Sequence, residues 1–494
     1  MNRVTIEANQ RALSAPVLRA LTEVYVQQRL DLPTLCELTF RNPPGPLPEA
    51  TGPASLVTPG TRLRVTVEGF RAPLFVGEVT AVEYLYAADH EEVLHVRGYD
   101  LLHRLRKRQS VRIYSDMTAA QLARELVKDV GLTVNATEPG PRWSQLYQHH
   151  QNDLELLTET AALAGLHVTV RDQVLHLLTL AGLGEPYPLQ LGDTLLEARI
   201  EVNSDSVCES VTATSWNPLR GEAITARSTQ ARTGRRLRGA AFTAGQVGGS
   251  GRFELVNEGA SDQQHAAALA QAELDYRKAT EVILRGVAAG DLALQPGALV
   301  QISGVASHLE GRYVLTEVTH TLDHTGAFVS EIGTAPPDRL PRPRTDVATL
   351  GVVTQVGELG QVKAQLPTYN GVETNWMGVL MPGAGKNKGF VALPDVGDTV
   401  LVLLTHENPG RGIVLGGLYG AQKPPDSGVA VFTLEGGLPR SAVQRYSWIT
   451  PAGQRIQLNS RGDVIRLENE AGSYIELAGG AITIAGRAID FRQT

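Results

Sequence analysis

Two carboxylates at close spacing come nearest to a catalytic pattern in this chain. Asp395 and Asp398 stand three positions apart, and a carboxylate pair can supply the acid and the base of glycoside hydrolysis. Both lie in the run LPDVGD, whose proline and glycine are typical of a β-turn. We therefore expect these side chains to stabilise a turn rather than to cleave a substrate.

The histidines also lack partners at useful spacing. His149 and His150 have no cysteine or glutamate at the spacing of a metal site, so surface polar residues are favoured. His406 and Glu407 are followed at once by the run NPG, which indicates a turn. The sequence contains no serine-centred elbow, phosphate-binding loop or CxxC pair. It therefore predicts no catalytic, cofactor or metal-binding residue, and we expect the protein not to be an enzyme.

The bulk composition indicates a β-rich protein of several domains. The chain has 494 residues, 50 of them glycine and 27 proline, and only 5% are aromatic; this mixture is typical of short strands joined by tight turns. The net charge of −7 gives no general attraction to nucleic acid or anionic membranes. The first residues, MNRVTIEANQ, contain no apolar core of a signal peptide. Cys36 and Cys208 are expected to be free, buried thiols.

Alternating and helical patterns fill residues 1–340. Strands are predicted in runs such as TRLRVTVEG and VLHVRGYD, where apolar and polar residues alternate. Helices are predicted at about 118–130, from about 153 to 165, and at about 261–277. A Pro-rich stretch follows at 336–343 and favours an extended connector. Six short runs at 346–420, divided by Gly, Pro and Asn, then fit a closed barrel of five or six strands.

The last fifty residues contain a repeat in which an apolar residue follows a glycine after three positions and a second apolar residue follows two positions later. The predicted corners are Gly453, Gly462, Gly472, Gly479 and Gly486. The predicted inward residues are Ile456, Leu458, Ile465, Leu467, Ile475, Leu477, Ile482, Ile484, Ile489 and Phe491. Glycine permits sharp corners, and alternation sends two side chains per strand to one face.

Two apolar residues per short strand are too few to enclose a core within one chain. Three chains, each giving one strand to a layer, would close a three-sided prism with a dry interior and without open sheet edges. Five layers spaced by roughly 4.8 Å would form a rod of about 24 Å. The alternative from the residues alone is a monomeric antiparallel meander that packs on the barrel.

Three blocks of this sequence resemble the hub–spike proteins of contractile injection systems, which include VgrG spikes and phage baseplate hubs. The first comprises VRGYDLLHRL, QNDLELLTETAALAGLHVTV and LQPGALVQISGV. The second runs from GQVKAQLPTYNG to GIVLGGLYG and resembles the family's OB-fold domain. The third is the glycine repeat, and the order of the three blocks strengthens the resemblance.

The resemblance implies a mainly β fold in five parts. These are a hub of two barrel-like domains with helical insertions (1–340), a Pro-rich linker (341–346), an OB-fold domain (347–420), a connector (421–445) and a trimeric β-prism or β-helix needle (446–494). The hub would form a pseudo-sixfold ring on the tail tube, and the needle would point away from it.

The resemblance also implies partners. We expect a homotrimer with no cofactor and no nucleic acid, in contact with tail-tube and baseplate proteins and with possible effector cargo. A PAAR-like tip protein is expected on residues 485–494, including Ile489, Asp490, Phe491 and Arg492. The particle would assemble in the bacterial cytoplasm and puncture a target envelope when its sheath contracts. It would act outside the cell or in a target cell.

The kind of machine stays open between phage tail, type VI apparatus and extracellular or cytoplasmic particle. Only the 27-residue run QKPPDSGVAVFTLEGGLPRSAVQRYSW, from 422 to 448, separates the OB-like block from the repeat, so no lysozyme domain is expected there. No histidine follows His406 and the chain stops at FRQT, so neither a histidine-bound metal at the tip nor a fused toxin is expected. A cell-wall hydrolase and a receptor- or glycan-binding baseplate protein remain the alternative functions.

Overall fold

The computed structural model describes most of the chain. The described residues are 4–42, 57–86, 88, 92–217, 222–239, 249, 251–256, 260–339, 345–420, 423–426, 432–435 and 438–490. The helices are α1 (Ala15–Ala20), α2 (Ala119–Val127), α3 (Asp153–Leu163) and α4 (Gln263–Thr280). The predicted mainly β fold is confirmed, because strands are the dominant elements of these residues.

The strands fall into three regions of the chain. The first region holds β1 (Val4–Ala8), β2 (Arg11–Ala12), β3 (Leu21–Arg29), β4 (Leu35–Arg41), β5 (Arg62–Val67), β6 (Phe75–Tyr86), β7 (Glu92–Tyr99), β8 (Arg112–Thr118), β9 (Thr133–Ala136), β10 (Arg142–Gln148), β11 (His167–Arg171), β12 (Val174–Leu178), β13 (Leu183–Gln190), β14 (Leu195–Val202), β15 (Ser210–Asn217), β16 (Glu222–Ser228), β17 (Arg236–Leu237), β18 (Arg252–Val256), β19 (Val282–Ala289), β20 (Ala298–Ser303), β21 (Gly311–Val314), β22 (Glu317–Asp323) and β23 (Phe328–Gly333). The second holds β24 (Val347–Val356), β25 (Val362–Leu366), β26 (Val372–Glu373), β27 (Gly378–Val379), β28 (Thr399–Leu404) and β29 (Gly412–Gly417). The third holds β30 (Phe432–Glu435), β31 (Leu438–Val443), β32 (Arg445–Ile449), β33 (Arg455–Asn459), β34 (Val464–Glu468), β35 (Tyr474–Ala478) and β36 (Ala481–Ala485).

A single eleven-stranded sheet joins the two halves of the hub. Its order is β14-β19-β23-β22-β3-β4-β7-β6-β5-β1-β2, and the antiparallel pair of β3 and β22 links the early strands to the late ones. One face packs on two apolar cores, one beneath each half. The other face is polar and carries ion pairs such as Arg97–Glu37 at 2.6 Å and Arg29–Glu317 at 3.1 Å. Cys36 and Cys208 are free and buried, and burial raises the pKa of both thiols.

A helix–hairpin insertion between the two halves has its own core. Helix α2 begins after Thr118 and α3 after Asn152, and each of these residues forms a capping box with the side chain three positions on. Strands β11 and β12 pair through a two-residue turn in which Asp172 and Gln173 both have positive φ. Such a turn matches the right-handed twist of the flanking strands, so the predicted hairpin at 171–173 is formed.

Arginine clamps hold α4 in the hub. Arg232 Nε donates to Asp275 at 2.9 Å, and its Nη1 donates to Glu138 of the insertion at 2.5 Å. Arg235 donates to Glu281 at 3.0 Å, and this glutamate is almost fully buried. The sequence run RTGRRLRG therefore fastens three parts of the hub to one another.

The OB domain is a six-stranded sheet in the order β26-β25-β24-β28-β29-β27 around an apolar core. That core also contains Tyr147 of the insertion, so the hub inserts a side chain into the next domain. Gly410 lies against this ring, because a Cβ on it would be 2.9 Å from Tyr147 Cε2. The hub and the OB domain therefore meet at the antiparallel pair of β8 and β10.

The C-terminal strands β32 to β36 form one antiparallel sheet in sequential order, which we call the ladder. Each strand has five residues and pairs with the next over its full length. Within the described residues, no helix is long and apolar enough to cross a membrane.

Candidate functional site

The turns of the ladder place glycine where the backbone needs positive φ. Gly453, Gly462, Gly472 and Gly479 all have φ between 53° and 99°, in the region that glycine adopts at little cost. Gly453 and Gly472 close equivalent loops: the amide of each donates to the carbonyl three residues earlier, Thr450 and Asn469. Four of the predicted corners therefore lie at corners of the ladder.

One face of the ladder is continuously apolar. Cross-strand pairs Ile456–Leu467, Leu458–Ile465, Ile465–Leu477, Leu467–Ile475, Ile475–Ile484 and Leu477–Ile482 run across it. These eight side chains are 36–70% exposed in one chain. A contiguous apolar surface of this kind marks an interaction site, and we call it the apolar face.

The opposite face is a polar network. Arg466 donates to Glu476 and Glu468, each at 3.0 Å, and its guanidinium lies 3.9 Å from the centre of the Tyr474 ring. At the start of the ladder, Asp426 of the connector accepts hydrogen bonds from Arg445 and Ser447 of β32. This carboxylate has a pKa below its ordinary value, because the hydrogen bonds outweigh desolvation by burial. The network fixes which face of each strand turns toward the connector and leaves the other face uncovered.

The last predicted layer differs from the expectation. Gly486 does not have positive φ, and Ile489 follows the end of β36 outside any strand. No strand follows β36 in residues 486–490, and a Cβ on Gly486 would lie 3.3 Å from Ser473 Oγ. Ile489 is exposed and Asp490 follows it, whereas Phe491 and Arg492 lie outside the described residues.

The ladder instead gains a layer at its start that the repeat did not reveal. Strand β32 pairs Tyr446 with Leu458 and Trp448 with Ile456, so both aromatic side chains lie on the apolar face. The signal in the sequence is the alternation of polar and apolar residues in RYSWI. No glycine stands three positions before Tyr446, as it does before the first apolar residue of each repeat unit. Trp448 also contacts Phe390 of the OB domain, with the ring centres 5.7 Å apart.

The carboxylate pair Asp395 and Asp398, considered above for catalysis, stabilises a turn. Asp398 Oδ2 accepts the amide of Asp395 at 2.8 Å, and the amide of Asp398 donates back to the Asp395 carbonyl. Both side chains are exposed on the resulting turn. No group of three His, Cys, Asp or Glu side chains that could hold a metal ion occurs among the described residues.

The histidine pair belongs to the joint between hub and OB domain. The ring centres of His149 and Tyr369 are 5.6 Å apart, and His150 Nε2 lies 3.6 Å from Glu407 Oε1. Burial lowers the pKa of His149, and the neighbouring His150 adds to that effect. His149 is thus more enclosed than the surface position predicted for it, because Tyr369 of the OB domain packs against it.

Two family models match the chain. The model of the Alg8 N-terminal domain matches residues 49–324, which is more than half of the sequence. The chain belongs to this family. The model of the type VI secretion system/phage-baseplate injector OB domain matches residues 349–419, so the predicted OB fold is confirmed. No curated protein matches this member of the family at a significant level.

Solved structures share the fold of this family member at low sequence identity. A chain of the PdpA–VgrG complex of Francisella has a TM-score of 0.58 and 9% identity, and the match covers 98% of this chain and 88% of that one. The E. coli protein c3393 has a TM-score of 0.56 and 14% identity over 84% of this chain and 99% of its own. It is described as a type VI secretion component similar to the phage T4 tail proteins gp27 and gp5.

A tail protein of prophage MuSo2 from Shewanella oneidensis has a TM-score of 0.52 and 16% identity over 68% of this chain and 98% of its own. The Shewanella protein is thus a prophage tail protein and the E. coli protein a type VI secretion component. The resemblance to VgrG-like and phage-baseplate hub–spike proteins is therefore confirmed, and the chain has the hub–spike fold.

Proposed function

We propose that this protein forms a homotrimer that serves as the hub and spike of a contractile injection system. The observation that carries the proposal is the apolar face of the ladder, which one chain leaves uncovered. Full burial of one such side chain is worth about 1.5–3 kcal/mol, so eight half-exposed residues are a large driving force for assembly. Three ladders with their apolar faces turned inward would cover one another.

The two faces of the ladder suit such a prism. The polar network of Arg466, Glu468 and Glu476 would face water, and the Ile and Leu pairs would fill the interior. Three-fold closure leaves no open sheet edge along the length of the prism. A monomeric meander packed on the OB barrel is disfavoured, because no part of the described OB domain covers the aliphatic pairs of the ladder.

The hub sheet supports the same assembly. Strand β14 is an edge strand of the eleven-stranded sheet, and β5 pairs with β6 only as far as Glu78. The outer half of β6 therefore offers a second open edge. Between these edges lie eight consecutive strands, and pairing of β14 with β6 of the next copy would close a ring of three chains. The polar face of the sheet is suited to line or contact a tail tube.

In this proposal the protein transmits force. The hub would sit on the tail tube among baseplate proteins, and sheath contraction would drive the ladder through a target envelope. A PAAR-like tip protein would cap residues 485–494, where Ile482 and Ile484 of β36 leave apolar surface at the last strand. The particle would assemble in the bacterial cytoplasm and act outside the cell or in a target cell, with possible effector cargo.

We infer a mechanical rather than an enzymatic role. Asp395 and Asp398 hydrogen-bond within their own turn and are exposed to solvent, whereas a catalytic acid needs an environment that separates its pKa from that of its partner. The test is a peptidoglycan-clearing assay with purified protein. Activity that disappears in Asp395→Asn or Asp398→Asn would establish the hydrolase alternative instead.

The mass of the purified full chain in solution tests the assembly. One chain has a mass of 53.1 kDa, and light scattering or native mass spectrometry should give three times that value. A folded single copy at micromolar concentration would overturn the proposal. The match of the fold to hub–spike proteins would then have to be explained by a different assembly.

A further inference from the structure

Three aromatic side chains form a small cluster at the base of the ladder. Tyr446 and Trp448 lie on the apolar face of β32, and Phe390 belongs to the long loop between β27 and β28. The rings of Phe390 and Trp448 are 5.7 Å apart and inclined by 39°. The apolar face therefore continues from the ladder onto the OB domain.

These rings are exposed to a degree unusual for their size. In one chain, Tyr446 is 64% exposed, Trp448 59% and Phe390 45%. Tyrosine and tryptophan give the largest contact areas and are enriched at interfaces, where the ring is covered and the hydroxyl or indole N–H finds a partner. Three such side chains next to one another indicate a covered surface in the assembled protein.

The direction of the rings is fixed by the polar side of the same strand. Asp426 accepts from Arg445 and Ser447, which alternate with the aromatic residues, and from Gln457 at 3.3 Å. Since successive residues of a strand point to opposite faces, this anchoring holds Tyr446 and Trp448 on the same face of the ladder as Leu458 and Ile456. The aromatic rings therefore continue the rows formed by the aliphatic layers.

We propose that Tyr446, Trp448 and Phe390 of three chains form an aromatic layer that seals the base of the needle and locks the OB loop to it. This layer requires the proposed trimer, because the side chains that cover the surface come from the other two copies of the chain. Two features support that choice: the patch is continuous with the apolar face, and its rows are in register with the aliphatic pairs. Rings larger than isoleucine widen the interior where the narrow prism meets the broader OB domains.

Tryptophan fluorescence of the full chain tests this layer, and the chain supplies its own matched control. Trp216 on β15 of the hub is 58% exposed in one chain, almost the same as Trp448. The emission lost in Trp448→Phe and in Trp216→Phe isolates the signal of each indole. We expect the Trp448 signal to be blue-shifted and protected from acrylamide, and the Trp216 signal to be red-shifted and quenched.

The outcomes separate the two proposals when the mass is measured on the same samples. A three-copy particle in which the Trp448 signal is quenched as strongly as that of Trp216 would overturn the aromatic layer and leave the trimer intact. A single-copy protein would overturn the trimer itself. A second variant, Trp448→Ser, should shift dissociation of the trimer to higher protein concentrations in denaturant-free buffer if the indole is covered; unchanged dissociation would also count against the layer.

Discussion

The sharpest consequence of the proposed trimer concerns Ile465, in the middle of the apolar face. Its neighbours across the strands are Leu458 and Leu477, and 45% of Ile465 is exposed in one chain. In a prism, Ile465→Asp would place three carboxylates at the axis. In a monomer, the same change would place one carboxylate on a half-exposed surface.

The two situations differ greatly in free energy. Covering the exposed part of one isoleucine is worth about 1 kcal/mol, so the three copies lose about 3 kcal/mol of burial. Each carboxylate removed from water without a partner costs several kcal/mol more. The total is about 10 kcal/mol or more per trimer, equivalent to a fall of about seven powers of ten in the association constant.

Sedimentation or light scattering over a range of concentrations would measure this effect. The matched control is Thr483→Asp, which adds the same charge to the polar face opposite Glu476 and should cost about 0.2–1 kcal/mol per chain. We expect Ile465→Asp to be a folded single copy with an intact hub by circular dichroism, and Thr483→Asp to keep three copies. An Ile465→Asp particle that dissociates at the wild-type concentration would refute the reasoning.

Three further outcomes follow from the structure. Arg235→Met leaves the buried carboxylate of Glu281 with Lys278 as its remaining ion-pair partner and should lower the free energy of unfolding by about 3 kcal/mol in urea titration; Arg238→Met, at an exposed site, should change it by less than about 0.5 kcal/mol. Burial lowers the pKa of His320 from 6.5 to about 4, so the folded state favours the neutral ring. The stability tied to this ring is complete above pH 6.5 and lost as the pH falls to 4, by about 3 kcal/mol, and His320→Gln should flatten that slope in urea titrations; an unchanged slope would contradict the assignment. Removal of residues 485–494 should abolish recruitment of a PAAR-like tip protein in a pull-down while the mass stays three-fold, and recruitment by the shortened chain would show that the tip binds elsewhere.

Local patterns in the sequence predicted much of the fold. The capping residues Thr118 and Asn152 indicated where two helices begin, and the glycine spacing indicated four corners of the ladder. Those features depend on side chains within a few positions of one another. The aromatic strand β32 was not predicted, because no glycine precedes Tyr446 and Trp448 at the spacing of the repeat, although both lie on the same face as the isoleucines.

Features that depend on distant parts of the chain could not be read in the same way. The Arg235–Glu281 pair joins residues 46 positions apart, and Tyr147 reaches a core built from residues after 350. The final predicted layer at Gly486 is a further difference: the repeat continues in the sequence, but β36 ends at Ala485 and no strand follows it among the described residues.

The insertion of Tyr147 into the OB core has a consequence for engineering. The Pro-rich linker looks like the natural seam at which to exchange spikes between related particles. A graft made there would remove the OB core that surrounds Tyr147 and leave this ring of the hub exposed. It would also separate Gly410 from Tyr147, against which it packs. Transplants that retarget such a particle should take the segment from β8 to β10 along with the OB domain, or be joined beyond residue 420, so that the hub and the OB domain stay together.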